Sequence, residues 1–376
     1  MAVEIREIHT KKEIKHFIEF ANDLYKDCPY YCPPLFFDEV NCFDPNKNPA
    51  LEVCDHQLWM AYSDGKPVGR IAGIINRKAN EHWSVKKVRF GWFDFIDDLE
   101  VSKALLDTVA AWGKERGMNE LNGPVGFTDF DHEGLLLEGY EYRAPMASLY
   151  NYPYYVKHVD AYGLTKEADW IEMQINPGTE CPERINRVAE IVKQRSHVHV
   201  VKVKNVRELN RRYGLQYMDV IDTAYQQLYN FQPMTQRQKE YYRDMYLPLL
   251  NFDFVTIIEN DEKELVGVAL GMPDLSVALR KCGGHLFPFG WYHILKALKS
   301  KHLDGFNFLL IAIRPDYQNK GVDTLFYQDM IPQFAKYHLT CLETTSMLEK
   351  NNKILDFFSR IEHKQHKRRR AYIKEI

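Results

Sequence analysis

The order of apolar and polar segments in the first half of the chain predicts a hairpin, a strand, a helix and a further strand. The apolar segments LWMAY (58–62) and VGRIAGIIN (68–76) flank the turn sequence SDGKP, and VRFGWFDF (88–95) follows them. In VSKALLDTVAAWGKERG apolar residues recur at helical spacing, and Gly117 marks the end of the helix. NELNGPV (119–125) is then the next strand.

The second half of the chain repeats this order of elements. FDFVTII (252–258) and VGVALGM (266–272) predict a second hairpin, whose glycines have the same spacing as those of the first. FNFLLIAI (306–313) follows as a strand, LTCLETTS (339–346) as another, and NNKILDFFSRI (351–361) as an amphipathic helix. Each half therefore predicts a mixed sheet with helices on its faces.

Further segments complete the prediction for the second half. A helix that begins near Gly321 is expected to kink or end at Pro332, because proline lacks the N–H that continues a helix. The tail KRRRAYIKEI is expected to be a final edge strand, kept soluble by its Lys and Arg residues. Two insertions are of the kind that shapes substrate sites: the helical 219–250, divided by Pro233, and the glycine- and aromatic-rich 273–301.

Length and composition indicate a two-domain globular protein. The 376 residues exceed one typical domain, and a Pro- and Gly-containing segment at 176–184 predicts a boundary that gives domains 1–178 and 179–376. The hydrophobic fraction is 45%, and no apolar run has the length of a membrane span or the form of a signal peptide. The seven cysteines, an odd number in a large chain, indicate reduced thiols. We therefore expect a cytoplasmic protein.

Charge and residue spacing argue against some classes of partner. The net charge of −3 gives no basic field for nucleic acid, and the single short basic run at 363–376 is a weak signal. Cys28, Cys32, Cys42 and Cys54 lack the paired spacing of a zinc site, so no metal is expected. The aromatic fraction of 13% is high, and these residues either fill the cores or line an apolar ligand surface.

The loop IRPDYQNKGVD (313–323) lies between a predicted strand and a predicted helix. In this arrangement the N-terminal amides and the dipole of the helix hold phosphate groups. Gly321 allows close approach of a ligand to the backbone and Lys320 adds a positive charge, whereas Asp323 adds a negative one. The loop is therefore either an anion site or only a turn.

Gln318-x-x-Gly321 matches the Gln/Arg-x-x-Gly-x-Gly/Ala signature of the GCN5-related N-acetyltransferase (GNAT) superfamily, which the second half resembles. The later segment LETTSMLEKNNKILDFFSRIEHK is similar to a second family motif. The resemblance extends more weakly to the first half and is that of a tandem, two-domain bacterial group. It implies an α+β tandem acyl-CoA N-acyltransferase fold, each half a mixed, mostly antiparallel sheet flanked by helices.

The resemblance implies that the second half binds acetyl-CoA or a longer acyl-CoA as cosubstrate. The corresponding first-half loop, IDDLEVSKALL, is acidic where phosphates would lie, so domain 1–178 is expected to be a degenerate copy that supplies substrate walls. The residues expected to hold the coenzyme are Ile313, Arg314, Gln318, Asn319, Lys320, Gly321, Val322 and Asn352.

The implied function is N-acyl transfer from coenzyme A to a small-molecule or lipid amine held in the cleft between the halves. Transfer needs a base for the amine, hydrogen-bond donors for the carbonyl oxygen and stabilisation of the leaving thiolate. Glu343, Asp274 and His132 are the candidate catalytic residues. Their alternatives are a salt-bridged carboxylate, a helix cap and a histidine that points away from the neighbouring Glu133.

Two aromatic segments, LYNYPYY and HLFPFGWY, predict an acyl chain or acceptor that is larger and more apolar than acetate or a simple amino acid. The candidate substrate-binding residues in them are Tyr150, Tyr152, His285 and Trp291.

Two departures from the family pattern favour a rival function. Asp323 replaces the last Gly or Ala of the signature, and Phe358 stands where many family enzymes have a tyrosine that protonates the thiolate. The rival is a non-catalytic GNAT-like ligand-binding or regulatory protein that has lost acyl transfer.

Overall fold

The computed structural model describes residues 3–303, 305–339 and 341–376, and the fold is that of these residues. The strands are β1 (Glu4–Ile8), β2 (Cys54–Ser63), β3 (Lys66–Asn76), β4 (Lys87–Phe95), β5 (Glu120–Gly123), β6 (Leu135–Glu138), β7 (Thr165–Asn176), β8 (Val198–Val201), β9 (Val255–Asn260), β10 (Leu265–Pro273), β11 (Phe306–Ile313), β12 (Leu342–Thr344), β13 (Met347–Leu348) and β14 (Glu362–Glu375). The helices are α1 (Lys11–Leu24), α2 (Phe36–Cys42), α3 (Arg77–Trp83), α4 (Leu99–Glu115), α5 (Tyr154–Ala161), α6 (Glu183–Ser196), α7 (Val206–Tyr213), α8 (Gln216–Tyr225), α9 (Gln236–Tyr246), α10 (Ser276–Cys282), α11 (Gly290–Leu298), α12 (Thr324–Lys336) and α13 (Asn352–Phe358).

All described strands belong to one sheet, ordered β1-β2-β3-β4-β5-β14-β7-β12-β11-β10-β9-β8, with β6 paired to β14 and β13 to β7. The pairs are antiparallel except β4 with β5 and β11 with β12. The predicted order of hairpin, strand, helix and strand occurs twice, as β2-β3-β4-α4-β5 and as β9-β10-β11-α12-β12. The predicted α+β fold, a mostly antiparallel sheet flanked by helices, is confirmed.

The two halves exchange their last strands. β7, the last strand before position 178, pairs with β12 of the second half, and β14 pairs with β5 of the first. β7 and β14 also pair with each other from Glu362 opposite Asn176 to Ile373 opposite Thr165. The division at residues 178 and 179 stays a prediction, and the sheet runs without a break across it.

The prediction that the basic tail is an edge strand is wrong. β14 lies in the middle of the sheet, between β7 and β5, and the Arg369 side chain is fully buried. Its guanidinium donates to the Glu172 carboxylate on β7, while Arg368 and Arg370 both donate to Asp169 on the same strand. The strand can be buried because each of these three charges meets an opposite charge on its neighbour.

The sequence predicts that α12 kinks or ends at Pro332. The helix does not end there, because it continues through Pro332 to Lys336. The helix packs a row of apolar residues against the second-half core. A proline removes one backbone hydrogen bond, and burial of this row outweighs that loss. The buried residues of the row include Leu325, Phe326, Met330, Ile331 and Phe334.

The insertions form helices above the second half of the sheet. The predicted division of 219–250 at Pro233 is found, because α8 ends at Tyr225 and α9 begins at Gln236. The second insertion contains α10 and α11. Among the described residues, no helix is both long and apolar enough to cross a membrane.

Candidate active site

The main cavity of the second half opens where β11 and β12 separate. The two strands pair in parallel only at Asn307 with Glu343 and at Phe308 with Thr344, and then diverge. The space between them, here called the second-half cavity, has a volume of about 270 Å³. Its walls come from β11, from residues 344–348, and from α8, α9 and α13. The walls are mostly apolar and aromatic, which suits an apolar ligand.

A bulge in β11 lies on this cavity. The antiparallel pairing of β10 with β11 shifts register between Leu270 and Gly271, which leaves Leu309 without a partner in β10. The Leu309 carbonyl accepts a hydrogen bond of 3.2 Å from the Thr345 hydroxyl. Bulges re-aim backbone groups and are frequent next to active sites. The strand therefore presents irregular backbone to the cavity at its centre.

A second cavity, here called the first-half cavity, adjoins the first. It has a volume of about 180 Å³ and lies between residues 91–94 of β4 and residues 124–126 after β5. The segment from Tyr31 to Cys42 forms part of its rim. Residues that line both cavities are Phe130, Asp131, Ala147, Tyr242, Tyr246 and Leu309. The two clefts therefore meet between the halves of the chain.

Three carboxylates line the second-half cavity, Asp129, Asp131 and Glu133, and Asp131 also lines the first-half cavity. Burial raises the pKa of Asp129 to about 7 and that of Glu133 to about 8, and it also raises the pKa of Asp131. Glu133 accepts a hydrogen bond of 2.9 Å from Asn230, whereas Asp129 Oδ1 is buried without a partner among the described residues. A carboxylate with a pKa near neutrality suits a general base.

These carboxylates were missed as catalytic candidates, although the sequence FTDFDHEG places them at every second position. His132, between them, lines the first-half cavity, and Glu133 lines the second-half cavity. The neighbours thus point apart, as the alternative interpretation held. The ring nitrogen Nε2 of His132 lies 3.2 Å from the Met146 carbonyl oxygen.

The raised pKa of Glu133 predicts how stability depends on pH. In an unfolded chain a glutamate has a pKa of about 4.3, so between about pH 4 and pH 8 the folded state holds the extra proton. The free energy of unfolding should therefore fall as the pH rises through this window. Glu133→Gln removes the titration, and wild type should lose stability relative to this variant by about 1 kcal/mol per pH unit. Denaturant unfolding of both proteins at several pH values measures the difference. Parallel pH profiles would contradict the prediction.

The loop after β11 has the geometry of an anion site. Asn319 and Gly321 have φ angles of +60° and +78°, a conformation that turns the chain tightly before α12. Among the described residues, no acceptor meets the backbone N–H groups of residues 319–323. Lys320 lies beside them, and it lines a surface depression together with Asn319, Arg195 of α6 and Asp316, whose carboxylate is paired with Arg314. Unpaired amides just before a helix, with two cations beside them, are suited to phosphate.

The structure shows what balances the negative charge of Asp323. Its carboxylate does not cap α12, but accepts a contact of 2.6 Å from the Arg360 guanidinium. The charge is therefore paired within the protein. Gln318 donates to the Ile313 carbonyl over 2.8 Å and accepts from Lys353 over 2.6 Å, which holds the loop against α13.

The other predicted coenzyme residues differ in position. Arg314 forms ion pairs with Asp316 and Glu264, and Val322 is buried in the core beneath the loop. Asn352 begins α13 and is exposed, while the preceding Asn351 lines the second-half cavity. Their predicted role in holding the coenzyme stays a prediction.

The first-half loop is built differently. Only residues 96–98 connect β4 to α4, and Asp98 caps the helix by accepting from the Glu100 amide at 2.9 Å. Asp97 lies 2.9 Å from the His158 ring. The acidic residues thus stabilise their own surroundings, as the sequence predicts.

Glu343 and Asp274 have structural partners. The Glu343 carboxylate accepts from His366 at 2.8 Å and from Lys367, and it belongs to the ion network around Glu172. Asp274 accepts from the Ser276 amide at 2.9 Å and from its hydroxyl at 2.7 Å, which is the cap geometry. Neither residue lines the two cavities. Their catalytic roles stay predictions, and their contacts correspond to the alternatives.

The acidic residues of this network also bring metal-binding side chains together. One ligand atom from each of Glu172, Glu343 and His366 lies within 4.8 Å of the others. Both carboxylates already accept hydrogen bonds from cations, Glu172 from Arg369 and Glu343 from Lys367. Cationic neighbours hold the pKa of Glu172 at about 2, well below its usual range. The network stabilises the junction of β7, β12 and β14.

The aromatic candidates divide between core and surface. Tyr150 is buried, lines the first-half cavity and donates to the Tyr140 carbonyl over 3.1 Å. Tyr152 stacks on Tyr154 with ring centres 5.7 Å apart, outside the lining of both cavities. His285 and Trp291 lie at the surface and do not reach the cleft that was expected for HLFPFGWY.

Comparisons with known proteins agree with this architecture. No family model matches the chain. The protein YghO of Escherichia coli is 29% identical over 99% of this chain and 95% of its own length. A bacterial ceramide synthase of Caulobacter vibrioides is 25% identical over 83% of this chain and 80% of its own length.

The solved structure of a tandem GNAT protein from the clavulanic acid biosynthesis pathway matches with a TM-score of 0.58. It is 10% identical to this chain, and the match covers 100% of this chain and 98% of the solved one. At that identity the match concerns the fold alone. The chain therefore has the tandem fold of the GCN5-related N-acetyltransferases.

Proposed function

We propose that the chain is an acyl-CoA-dependent N-acyltransferase, with the thioester in the second-half cavity and the amine acceptor in the first-half cavity. The observation that carries this proposal is a group of buried carboxylates on the walls of the two cavities: Asp129 and Glu133 line the second-half cavity, and Asp131 lines both. Burial raises the pKa of Asp129 to about 7 and that of Glu133 to about 8, and the wall that the cavities share at Asp131 is where an amine would meet a thioester.

In the proposed reaction Asp129 accepts a proton from the ammonium group of the acceptor. Three negative or partly ionised groups attract that cation, and the unpartnered Oδ1 of Asp129 is free to take the proton. The amine nitrogen then forms a bond to the thioester carbonyl carbon, and the bond from carbon to sulfur breaks. The products are an amide and coenzyme A, whose thiolate takes up the second proton that the nitrogen loses as the amide forms.

Binding of coenzyme A is supported by the loop at residues 318–323. Its unpaired amides suit the pyrophosphate, and Lys320 and Arg195 add positive charge at the same edge. In the proposed complex the rest of the coenzyme would extend from this loop into the second-half cavity, which is lined by Phe358 and by the bulge at Leu309. Phe358 is buried against Phe308 at a ring distance of 5.3 Å and offers no proton to the thiolate.

The proposed acceptor is an amphiphilic, long-chain amine. The cavity walls carry many aromatic and aliphatic side chains, and the second-half cavity has its carboxylates only at Asp129, Asp131 and Glu133. An apolar chain would lie along these walls, and its amine would reach the carboxylates. The name of the Caulobacter relative, a ceramide synthase, belongs to the same chemistry, because a ceramide is an amide of a long-chain amine.

The coenzyme site is tested by a matched pair of substitutions at Gly321. Gly321 has a φ angle of +78°, which strains the backbone of any residue with a side chain. A Cβ added at this position would lie 3.1 Å from a methyl group of Val192 in both variants. Gly321→Ala carries this strain alone, whereas Gly321→Glu also puts a carboxylate at the phosphates. We expect Gly321→Glu to raise the Kd for coenzyme A at least about tenfold above that of Gly321→Ala.

Isothermal calorimetry measures both dissociation constants, and thermal unfolding shows whether each variant is folded. Ligand that binds the native state raises the melting temperature, which gives a second reading of affinity. Equal affinities of the two variants would remove the loop from the coenzyme site. No binding to wild type at millimolar coenzyme would overturn the proposed function itself.

The rival function, a binding protein without catalysis, is favoured by one observation. Phe358 lines the second-half cavity and stands where the family pattern has a tyrosine that protonates the leaving thiolate. This rival predicts that acyl-CoA binds but that no amine is acylated. A measurement of the amide product therefore distinguishes the two functions.

A further inference from the structure

An aromatic face stands out on the surface of the second insertion. Phe287 is 82% exposed and Phe289 is 72% exposed, on either side of Pro288. Trp291, Tyr292 and Leu295 follow on α11 and are 45%, 53% and 43% exposed. Isolated exposed apolar residues are common, but five within nine positions form a patch of the kind that marks an interaction site.

The helix α11 orients this face outward. Ile294 and Gly290 are buried against the body of the protein, while Trp291, Tyr292 and Leu295 occupy the opposite side. The Trp291 indole N–H donates to the Pro288 carbonyl over 3.1 Å, which fixes the ring against the loop. The face is therefore held in place by the fold.

The segment that carries the aromatic face is positively charged, whereas the neighbouring segment adds Asp38 and Glu39 at the cavity and Glu19, which pairs with His285. Residues 275–303 contain no Asp or Glu but have five cationic residues, although the whole chain has a net charge of −3. Arg280 is used internally, donating to the carbonyls of Cys28 and Tyr31. Four lysines remain exposed, with no ion pair to any residue that the structure describes: Lys281, Lys296, Lys299 and Lys301. Aromatic side chains mixed with lysines fit the interface of a bilayer that contains anionic lipid.

The aromatic face is next to the rim of the first-half cavity. Gly284, before the face, accepts a hydrogen bond of 3.0 Å from the Phe36 amide, and the His285 ring lies 4.6 Å from the Phe36 ring. Phe36 is flanked by Leu35, which lines the cavity, and by Phe37, which is 62% exposed. One surface thus extends from the mouth of the cavity to α11.

We propose that this aromatic face, formed by Phe287, Phe289, Trp291, Tyr292 and Leu295, docks together with the neighbouring Phe37 on the surface of a membrane containing anionic lipid. The aromatic rings insert at the level of the lipid headgroups, and the four lysines contact lipid phosphates. The mouth of the first-half cavity then faces the bilayer, from which an amphiphile enters without crossing water. The docking needs neither coenzyme A nor an amine, so it stands or falls independently of the proposed function.

Flotation with lipid vesicles tests the docking. Vesicles of phosphatidylcholine and phosphatidylglycerol in equal amounts are compared with vesicles of phosphatidylcholine alone. Wild type should float with the anionic vesicles and much less with the neutral ones. Phe287→Ser combined with Phe289→Ser should lower the partition coefficient at least about tenfold. Lys296→Glu combined with Lys299→Glu should lower the partition coefficient at least about fivefold for each lysine replaced. This effect should be seen with the anionic vesicles and not with the neutral ones.

Ile191→Ser is the matched control. Ile191 is 44% exposed on α6, which packs in the core cluster on the other side of the sheet from α10 and α11. This variant should bind vesicles as wild type does. Equal melting temperatures show that all variants are folded, and a blue shift of tryptophan emission on vesicles that is lost in Trp291→Phe reports the surroundings of Trp291 among the six tryptophans.

Two results would overturn the docking. In one, wild type stays unbound by anionic vesicles, or the Phe287→Ser and Phe289→Ser variant binds as well as wild type. In the other, light scattering shows a wild-type dimer that becomes a monomer in this variant while vesicles bind neither form. The aromatic face would then be the contact between two copies of the chain.

Discussion

Replacing Asp129 with asparagine is expected to lower kcat for acyl transfer by about 10²–10⁴-fold, the range for loss of a general base. The substitution keeps the shape of the side chain and removes its ability to accept the amine proton. Glu133 stays protonated to a higher pH because burial raises its pKa to about 8, so it replaces Asp129 only in part. We expect little change in the KM for acyl-CoA, since the coenzyme loop is untouched.

The pH profile distinguishes a base from a merely structural residue. In wild type kcat should rise through about pH 7, where Asp129 ionises, and this limb should be missing in Asp129→Asn. Glu141→Gln, a change of an exposed carboxylate outside both cavities, is the control and should keep the wild-type profile. A variant with full kcat would show that another group, such as Glu343, accepts the proton.

Arg369→Met is expected to lower the free energy of unfolding by about 3–5 kcal/mol, because it leaves the buried Glu172 carboxylate without its main cation. Both side chains are 1% exposed or less. Glu172 keeps Lys367 at 3.5 Å and hydroxyl donors from Ser346 and Ser148, which compensate only part of the loss. Denaturant unfolding measures the difference.

Two further variants show where that energy comes from. Adding Glu172→Gln to Arg369→Met removes the uncompensated charge and should restore part of the lost stability. Lys364→Met changes an exposed cation on the same strand and should alter stability by less than about 0.5 kcal/mol. If Arg369→Met costs no more than Lys364→Met, the buried pair contributes nothing to stability.

Local patterns in the sequence were enough for most of the fold. The two hairpins, the strand Phe306–Ile313 and the helix after residue 98 each follow from the periodicity and turn residues of their own segment. The loop at residues 318–323 was found in the same way, because a strand exit, a glycine and a helix start are consecutive in the chain. These features need no knowledge of distant partners.

Features that depend on contacts between residues far apart in the sequence could not be predicted from local patterns. The charges of the tail predict an edge strand exposed to solvent, whereas Asp169 and Glu172 on β7 neutralise them within the sheet. The burial of Asp129 and Glu133, which raises their pKa values, depends on a cavity whose walls come from both halves of the chain. Asp323 looked unfavourable in sequence until its pairing with Arg360 was visible.

The central claim is that this chain joins an acyl group from coenzyme A to an amine, and mass spectrometry of the products tests it most directly. Purified protein is incubated with a long-chain acyl-CoA and a long-chain primary amine, and in parallel with acetyl-CoA and a small polar amine. We predict an N-acyl amide and free coenzyme A in equal amounts, formed much faster from the long-chain pair. Bound acyl-CoA without amide from any amine would contradict the claim and support the binding protein, and faster turnover of the acetyl pair would contradict the apolar substrates.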